Sequence, residues 1–380
     1  MTLNPISKSS KTCSSCIIRA ICDGISNPYL GSGACYPEHW SRYSDDMNPT
    51  NPGFWDLWYD VDGLRKWGFR QFLNPDISEV PTYVPMVKNG CSRITHLEEE
   101  TVAIPFFRVI GLRKGGTYGS RFADGQDLRM KFMLKPDCRI ILVGVCEDPQ
   151  LELFWQEHQV ANLAEELANL DIMGVTAPNF SAFEDMSKFQ VFRNLKRMLL
   201  VCERFSEWRI SVIPHLTAID PSQWRLWAEF LQQHPEVSVV TKEFQTGFKP
   251  YEKGRIVIDE LSRLQEQLGR PLHPILIGGG TLYKEASARF GQHFSVIDSR
   301  PHMLSMSRIL LNELSDTHYE EVQIRTATGQ GIDAIYRENI KVHHRNMQLG
   351  RRKRVFKNES CNSELHLETS SPYLICHPAA

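Results

Sequence analysis

Two groups of residues in the sequence have the types and spacing that chemistry needs. In the first, an apolar run at 275–277 leads into the glycines at 278–280, and a second apolar run at 294–297 ends on Asp298. In proteins with parallel strands, ligands bind at the carboxyl ends of the strands. The glycine turn and the aspartate are therefore predicted to share one working edge, with a backbone that a substrate can approach closely and a charge beside it.

The second group is a set of cysteines near the N-terminus with the spacing C-x2-C-x5-C-x12-C. A C-x2-C pair places two thiolates on one turn, and two further cysteines complete a site for Zn²⁺ or a four-cysteine cluster such as [4Fe-4S]. Residues 1–60 are rich in Cys, Ser, Pro, Asn and Gly and lack an apolar period, so metal binding would supply their folding energy. The sequence leaves open which metal is bound, and the alternative is unpaired cysteines in a flexible tail. The predicted ligands are Cys13, Cys16, Cys22 and Cys35.

The C-x2-C-x5-C part of this set resembles the cluster-ligating end of the iron-staple nucleases. In that family the fourth cysteine lies far upstream, whereas here it lies downstream at Cys35. The acidic and lysine motifs of the nucleases are not evident in this chain. The resemblance thus implies a cluster and does not extend to nuclease activity.

The composition is that of an ordinary globular protein, with 380 residues, 42% hydrophobic and 23% charged. Net charge is −2, so a nucleic-acid surface has to be a local patch. The first residues lack the apolar region of a signal peptide, and no apolar run is long enough to span a membrane. We therefore expect a cytoplasmic protein whose ten cysteines are free, metal-bound or reactive.

Between residues 100 and 315, apolar runs alternate with segments of helical period. Runs apolar on both faces that alternate with helices predict a parallel sheet covered on both sides. The sequence therefore predicts an α/β fold, a (β/α)8-type barrel that is complete or short of a strand; an open doubly wound sheet is the alternative. The predicted strands are 104–112, 139–146, 172–177, 209–214, 237–241, 275–277 and 294–297, and the predicted helices 151–170, 186–205, 221–233, 255–268 and 301–314.

Three domains follow from these patterns: a cysteine-rich metal or cluster module at 1–60, the barrel-like domain at 61–315, and a basic C-terminal extension at 316–380. Four consecutive basic residues in the extension are candidates for contacts to a nucleic-acid backbone. The alternative is a solvated surface run. These residues are Arg351, Arg352, Lys353 and Arg354.

In a barrel, polar residues at several strand ends converge on one mouth. Besides Asp298, the candidates are the segment 178–181, His215, and the pair of Lys242 and Glu243. Each has an ordinary structural explanation when taken alone, such as a surface ion pair or a helix cap. Their predicted convergence is what singles them out.

Over roughly 170–310, the chain resembles the queuine-type tRNA-guanine transglycosylases and their DNA-modifying relatives, which exchange guanine for a 7-deazaguanine. In that family a late strand ends in glycines, a short helix follows, and the next strand ends in a nucleophilic aspartate; IGGG, the helix near 283–290 and FSVIDSR stand in that order here. The resemblance implies a barrel with Asp298 as nucleophile. The chain departs from the family at Asn179, where the second catalytic aspartate is expected, and in lacking the C-terminal zinc motif.

The resemblance implies that the substrate is a nucleic acid, with DNA favoured over tRNA, and that the target nucleotide is flipped out of its stack. The second partner would be a 7-deazaguanine base. Glu243 would protonate the leaving base, and Arg300 or Arg308 would contact phosphate. It also places the chain in DNA modification or antiviral defence, with an ATPase subunit as a further partner. The predicted substrate-binding residues are Asn179, Gln245, Gly278, Gly279, Gly280 and Arg300.

A second resemblance covers about 150–245, where GVTAPNFSAFEDMSKFQVFRN and ISVIPHL are similar to an uncharacterised family of phages and mobile elements. That family has an aspartate at the position of Asn179. Two other functions remain open: a non-catalytic nucleic-acid-binding subunit, and a small-molecule enzyme that uses the glycine turn for phosphate.

Overall fold

The computed structural model of the chain describes residues 52–64, 67–157, 163–183, 186, 188–245, 250–327 and 329–354. The four N-terminal cysteines of the predicted metal site lie outside these residues. The strands are β1 Tyr83–Pro85, β2 Thr101–Pro105, β3 Ile110–Leu112, β4 Tyr118–Ser120, β5 Arg139–Val143, β6 Gly174–Thr176, β7 Val212–Ile213, β8 Val239–Glu243, β9 His273–Ile277, β10 Ser295–Asp298, β11 Ile309–Glu313, β12 His318–Gln323 and β13 Arg352–Lys353. The α-helices are α1 Pro52–Tyr59, α2 Phe106–Val109, α3 Gly125–Lys131, α4 Asp148–Glu157, α5 Leu163–Ala168, α6 Lys188–Glu207, α7 Pro221–Gln233, α8 Tyr251–Leu268, α9 Tyr283–Phe290, α10 Arg300–Met306 and α11 Asp333–Leu349, with 3-10 turns at Ile77–Glu79 and Gly280–Leu282.

Eight of these strands are parallel and form a barrel-like ring. One sheet has the order β2-β5-β6-β7 and the other β1-β10-β9-β8. Two parallel bridges join the sheets, Met86 to Ala103 at one seam and His215 to Thr241 at the other. The prediction of an α/β fold with parallel strands is confirmed, and the arrangement is barrel-like.

The structure differs from the sequence prediction at the start and the end of the ring. Strand β1 was missed because it has only three residues, follows closely after Pro81 and ends on Pro85, and proline is unusual in a strand. The predicted helix 301–314 is the short α10 followed by β11. Strand β11 forms a hairpin with β12 across the short connection 314–317, and the prediction failed because the apolar residues at 309–311 also fit a helical period.

Side chains alternate between the inside of the ring and the layer beneath the helices, as the period of a strand requires. Apart from Met86, the buried residues inside are alanine or β-branched, and those outside belong to the larger cluster that packs on the helices. On β10, Ile297 lies inside while Val296 lies in the outer cluster. The inner cluster consists of Val80, Val84, Met86, Ala103, Ile141, Val143, Ile213, Val239, Ile275, Ile277 and Ile297.

Helix α7 shows how the sequence sets an element of the ring. The Asp220 carboxylate accepts the Ser222 backbone N–H at 2.7 Å, and the Gln223 side chain accepts the Asp220 N–H at 3.0 Å. This capping box, with Pro221 at the first helical position, is worth about 1 kcal/mol and fixes the helix start. The predicted helix 221–233 is confirmed at both ends.

Two helices outside the predicted barrel domain pack against the ring. Helix α1 stacks Phe54 on Phe189 of α6, with ring centroids 4.5 Å apart. Helix α11 stacks His344 on Tyr83 of β1 at 4.7 Å. The packed region of the protein thus runs from α1 to α11 and includes part of both predicted flanking regions.

Buried histidines make the stability of this fold depend on pH. Burial lowers the pKa of both His273 and His302 to about 4, from an ordinary value of 6.5. Above pH 6.5 both rings are neutral in the folded and unfolded chain. As pH falls towards 4, the unfolded chain takes up protons that the folded chain excludes. The free energy of unfolding should therefore decrease from pH 7 to pH 5 by roughly 2 kcal/mol per histidine.

Urea denaturation of His302→Gln at the two pH values tests this dependence. In this variant, the decrease in the free energy of unfolding from pH 7 to pH 5 should be smaller by the contribution of one histidine. His318→Gln, at an exposed position, should show the same decrease as wild type. Equal pH dependence in wild type and His302→Gln would contradict the assignment.

Candidate functional site

A cavity of about 960 Å³ lies at the carboxyl ends of the parallel strands. Its floor is apolar and continues the inner cluster, with Met86 after β1, Val143 and Val145 on and after β5, and Ile277 at the end of β9. Its size is at the upper end of the range for small-molecule pockets. This cavity is the site that the ring forms on the edge where ligands are expected.

The walls of the cavity are polar and charged, and the two signs are separated. Cations follow the first strands: Lys88 after β1, Arg108 in α2 and Arg121 after β4. Glu147 and Asp148 stand at the start of α4. Further lining residues are Phe107, Cys146, Gln150, Ser181, Phe183, Gln245 and Ser299.

Asp298 lies at the border of this cavity, next to Ser299 of its wall. Asp298 is two residues after Val296 on β10, so its side chain also points out of the ring. It therefore lies between β10 and α11. One carboxylate oxygen is 3.1 Å from His343 Nε2, and the other accepts the Arg300 backbone N–H at 2.8 Å. The C-terminal helix therefore fixes the orientation of the predicted nucleophile.

The ionisation of Asp298 is set by these contacts. Burial alone would raise the pKa of Asp298, but the hydrogen bond and charge of His343 and the hydrogen bond from the Arg300 backbone outweigh it and lower the pKa below its ordinary value. The field of Asp298 reaches Lys88 on the cavity wall, where it favours the charged ammonium. An ionised carboxylate is the form that can attack or stabilise a developing cation.

Glu243, the predicted acid, lies at the end of β8 on the inner face of the ring. It pairs in register with Ile277, whose side chain belongs to the inner cluster. It is 5% exposed, and its carboxylate accepts the backbone N–H of Gln245, a residue of the cavity wall. Glu243 and Asp298 therefore flank β9 on its two neighbouring strands, one facing in and the other facing out.

Lys242 pairs with Leu276 and shares its outward register. Burial lowers the pKa of Lys242 to about 7, and the charge of Glu243 opposes the shift. Lys242 and Glu243 are thus both buried, on two faces of one strand, which excludes the alternative explanation of a surface ion pair.

Asn179 belongs to a hydrogen-bond chain across the ends of β6 and β7. The Thr217 hydroxyl donates to Asn179 Oδ1 at 3.0 Å and lies 3.1 Å from His215 Nδ1. Burial and the charge of Lys242 hold the pKa of His215 well below 6.5, so its ring is neutral. Since the Thr217 proton points to Asn179, the His215 proton is on Nδ1 and Nε2 carries the lone pair. The Asn179 oxygen is occupied within the protein.

The glycine turn is packed by protein side chains. Gly278 has φ +76°, a conformation that favours glycine, and a Cβ there would overlap Gln245 Cγ. A Cβ on Gly280 would come within 2.7 Å of Met347 Sδ and 3.2 Å of Asp298 Oδ2. A Cβ on Gly279 would meet Leu276 Cβ at 2.8 Å. The turn lets the side chains of Gln245 and Asp298 approach its backbone, and of the two only Gln245 lines the cavity.

The predicted phosphate contacts differ in their surroundings. The Arg300 side chain forms an ion pair with Glu321, which also pairs with Lys353 at 2.6 Å. Arg351 is 8% exposed and pairs with Glu313 at 2.9 Å. Arg352 and Arg354 are exposed. A backbone contact from the run 351–354 thus depends on its exposed members, because Arg351 stabilises the fold from within.

Sequence reasoning missed the cations of the cavity and the role of α11. Lys88 follows β1, the strand that was not recognised, and Arg108 fell inside a run taken as one strand. The helical period of apolar residues at 335, 336, 340 and 347 was a usable signal for α11 and for His343 on its buried side. In the described part of the chain, no group of three or more His, Cys, Asp or Glu residues is placed to hold a metal ion.

Comparisons with known proteins add little to this geometry. No family model matches the sequence, and no curated protein matches it. A solved structure of a Streptococcus agalactiae protein named for copper homeostasis, CutC, aligns with 58% of this chain and 99% of its own, at 10% identity and a TM-score of 0.36. The strand pairing described above, rather than this likeness, defines the fold. Among the described residues, no helix combines the length and apolarity needed to cross a membrane.

Replacing Gly278 tests whether the turn is needed for packing. Gly278→Ala should destabilise the protein by about 2–4 kcal/mol, because it adds an overlap with Gln245 to the strain of a positive φ. Gly269→Ala is the matched control, since Gly269 has φ +63° but open space around it, and it should cost about 1 kcal/mol. Chemical denaturation measures both. Equal losses would show that Gln245 does not contact the turn.

Proposed function

We propose that the cavity binds one nucleotide of a nucleic acid and exchanges its guanine for a 7-deazaguanine, with DNA favoured over tRNA. The observation that supports this proposal is the ionised Asp298 held at the border of a large cavity with apolar floor and cationic wall. Transfer at an N-glycosidic bond needs a carboxylate near the sugar and space for a base. Asp298 and the cavity lie at the same edge of the ring, which supports the proposal.

The reaction proceeds in two displacements. Asp298 forms a bond to C1′ of the sugar while the bond from C1′ to guanine N9 breaks and the leaving base takes up a proton. The incoming 7-deazaguanine then bonds to C1′ through its ring nitrogen and loses the proton of that nitrogen, and the bond to Asp298 breaks. Glu243 is the proposed proton donor and acceptor, because it lies two strands from Asp298 and contacts the wall residue Gln245.

Gln245 is the proposed reader of the base edge, since it lines the cavity and offers both an amide donor and an acceptor. Asn179 is less suited to this role, because its side-chain oxygen already accepts a hydrogen bond from Thr217. The base has to leave its stack to enter the cavity, so a flipped nucleotide or a single strand is the proposed substrate.

The second candidate is a non-catalytic nucleic-acid-binding subunit of a DNA-modification or phage-defence system, acting with an ATPase partner. Two observations favour it. Both oxygens of Asp298 already accept or share hydrogen bonds within the protein, and Asn179 stands where a second carboxylate is expected. Under this proposal the cavity binds a nucleotide and the bonds to its base remain intact.

Asp298→Asn separates the two functions. The variant should abolish incorporation of labelled 7-deazaguanine into DNA while the protein stays folded, because the amide keeps an acceptor for the Arg300 N–H but cannot attack the sugar. Asp333→Asn is the matched control: Asp333 also accepts backbone N–H groups, from Ile94 and Thr95, and lies outside the cavity wall. It should remain active.

Nucleosides from the DNA and tRNA of cells with and without the protein are then analysed for 7-deazaguanine in place of guanine. Altered guanine in neither nucleic acid would reject base exchange and leave the binding function. Full activity in Asp298→Asn would reject Asp298 as the nucleophile.

We also propose that Cys13, Cys16, Cys22 and Cys35 hold Zn²⁺ or a [4Fe-4S] cluster. Metal analysis and the visible absorption spectrum of the purified full chain should show one of the two, and Cys13→Ser/Cys16→Ser should remove it. Cys91→Ser is the control, because Cys91 is an exposed free cysteine in the described part of the chain. A folded, colourless protein without metal would end this proposal.

A further inference from the structure

Three cations line one side of the cavity and are here called the cationic arc: Lys88, Arg108 and Arg121. They come from three neighbouring segments, the loop after β1, helix α2 and the residue after β4. The Arg121 guanidinium lies against Gly111, where a Cβ would overlap it, so the glycine leaves room for this side chain. The arc is thus built by separate elements that meet at the mouth of the ring.

The side chains of the arc have no carboxylate partner among the residues that the structure describes. Other cations near the mouth do have one: Arg300 pairs with Glu321, and the buried Arg197 pairs with Glu152 at 2.7 Å. Like charges along a cavity wall repel each other, and water screens the repulsion least at Lys88, which is partly buried, whereas Arg108 and Arg121 are exposed. A bound anion would remove this repulsion.

The electrostatic cost of unpaired charge is largest at Lys88. It is partly buried, and burial together with the charge of Arg108 lowers its pKa, which the charge of Asp298 only partly opposes. Glu147 and Asp148 follow β5, the strand next to β2, and repel an anion from that part of the wall. An anionic ligand in the cavity is therefore directed to the arc, with its apolar part over Met86 and Ile277.

We propose that the cationic arc binds a phosphate group of the nucleotide whose base enters the cavity. This inference deepens the proposed function, and the assignment of the phosphate to a nucleotide rests on it. Guanidinium groups bind phosphate through paired hydrogen bonds, and an ammonium adds a point charge, so two arginines and one lysine suit a phosphate diester or monoester. The arc thereby sets the distance between the backbone of the substrate and Asp298.

Binding of a guanine-containing single-stranded DNA oligonucleotide to the full chain tests the arc, with measurement at several salt concentrations. Lys88→Gln, Arg108→Gln and Arg121→Gln should each weaken binding about tenfold or more. Each should also reduce the slope of log affinity against log salt, and loss of the whole arc should reduce it by about 0.7, because the arc neutralises one phosphate. Arg209→Gln is the matched control: Arg209 is exposed just before β7, at the opposite end of the ring, and its affinity and slope should equal those of wild type.

A second arm uses free 2′-deoxyguanosine 5′-monophosphate to identify the source of the phosphate. Arc-dependent binding of the oligonucleotide alone assigns a diester of a strand, and arc-dependent binding of the mononucleotide as well assigns a free nucleotide. Wild-type affinity and salt slope in all three arc variants would overturn the inference, whatever the activity. Arc-dependent binding without any altered base would leave the phosphate site standing and reject base exchange alone.

Discussion

Closure of the parallel strands is the constraint on which the rest of the molecule depends. At one seam the Val87 N–H donates to the Ala103 carbonyl at 2.8 Å, and at the other the Leu216 N–H donates to the Thr241 carbonyl at 2.8 Å. With both seams joined, no strand of the ring has a free edge, and all eight carboxyl ends open on one side. Residues as distant as Lys88 and Gln245 share a cavity for this reason.

The sequence was sufficient to predict the ring because strands and helices of this fold carry local signals. Apolar runs such as 139–146 and the Asp220-Pro221 helix start were visible without any structure. The same local view failed at β1, a three-residue strand that ends on a proline and carries almost no pattern, and at β11, whose apolar residues also fit a helical period.

The candidate site was predictable in part, for the same reason. Asp298 and Glu243 were found because they end strong apolar runs. Their surroundings could not be predicted, because burial, side-chain orientation and hydrogen bonding depend on segments far apart in sequence. His343 lies 45 residues after Asp298, and contacts its carboxylate from α11. The cationic arc escaped notice because its three members show no spacing that relates them.

The contact between α11 and β10 has a consequence for the order in which the protein is made. Chains emerge from the ribosome N-terminus first, and early segments fold before later ones. All eight strands of the ring are synthesised before His343, so Asp298 lacks its hydrogen bond to α11 until that helix is made. The orientation of its carboxylate is fixed only when α11 docks, after the strands that surround it are complete.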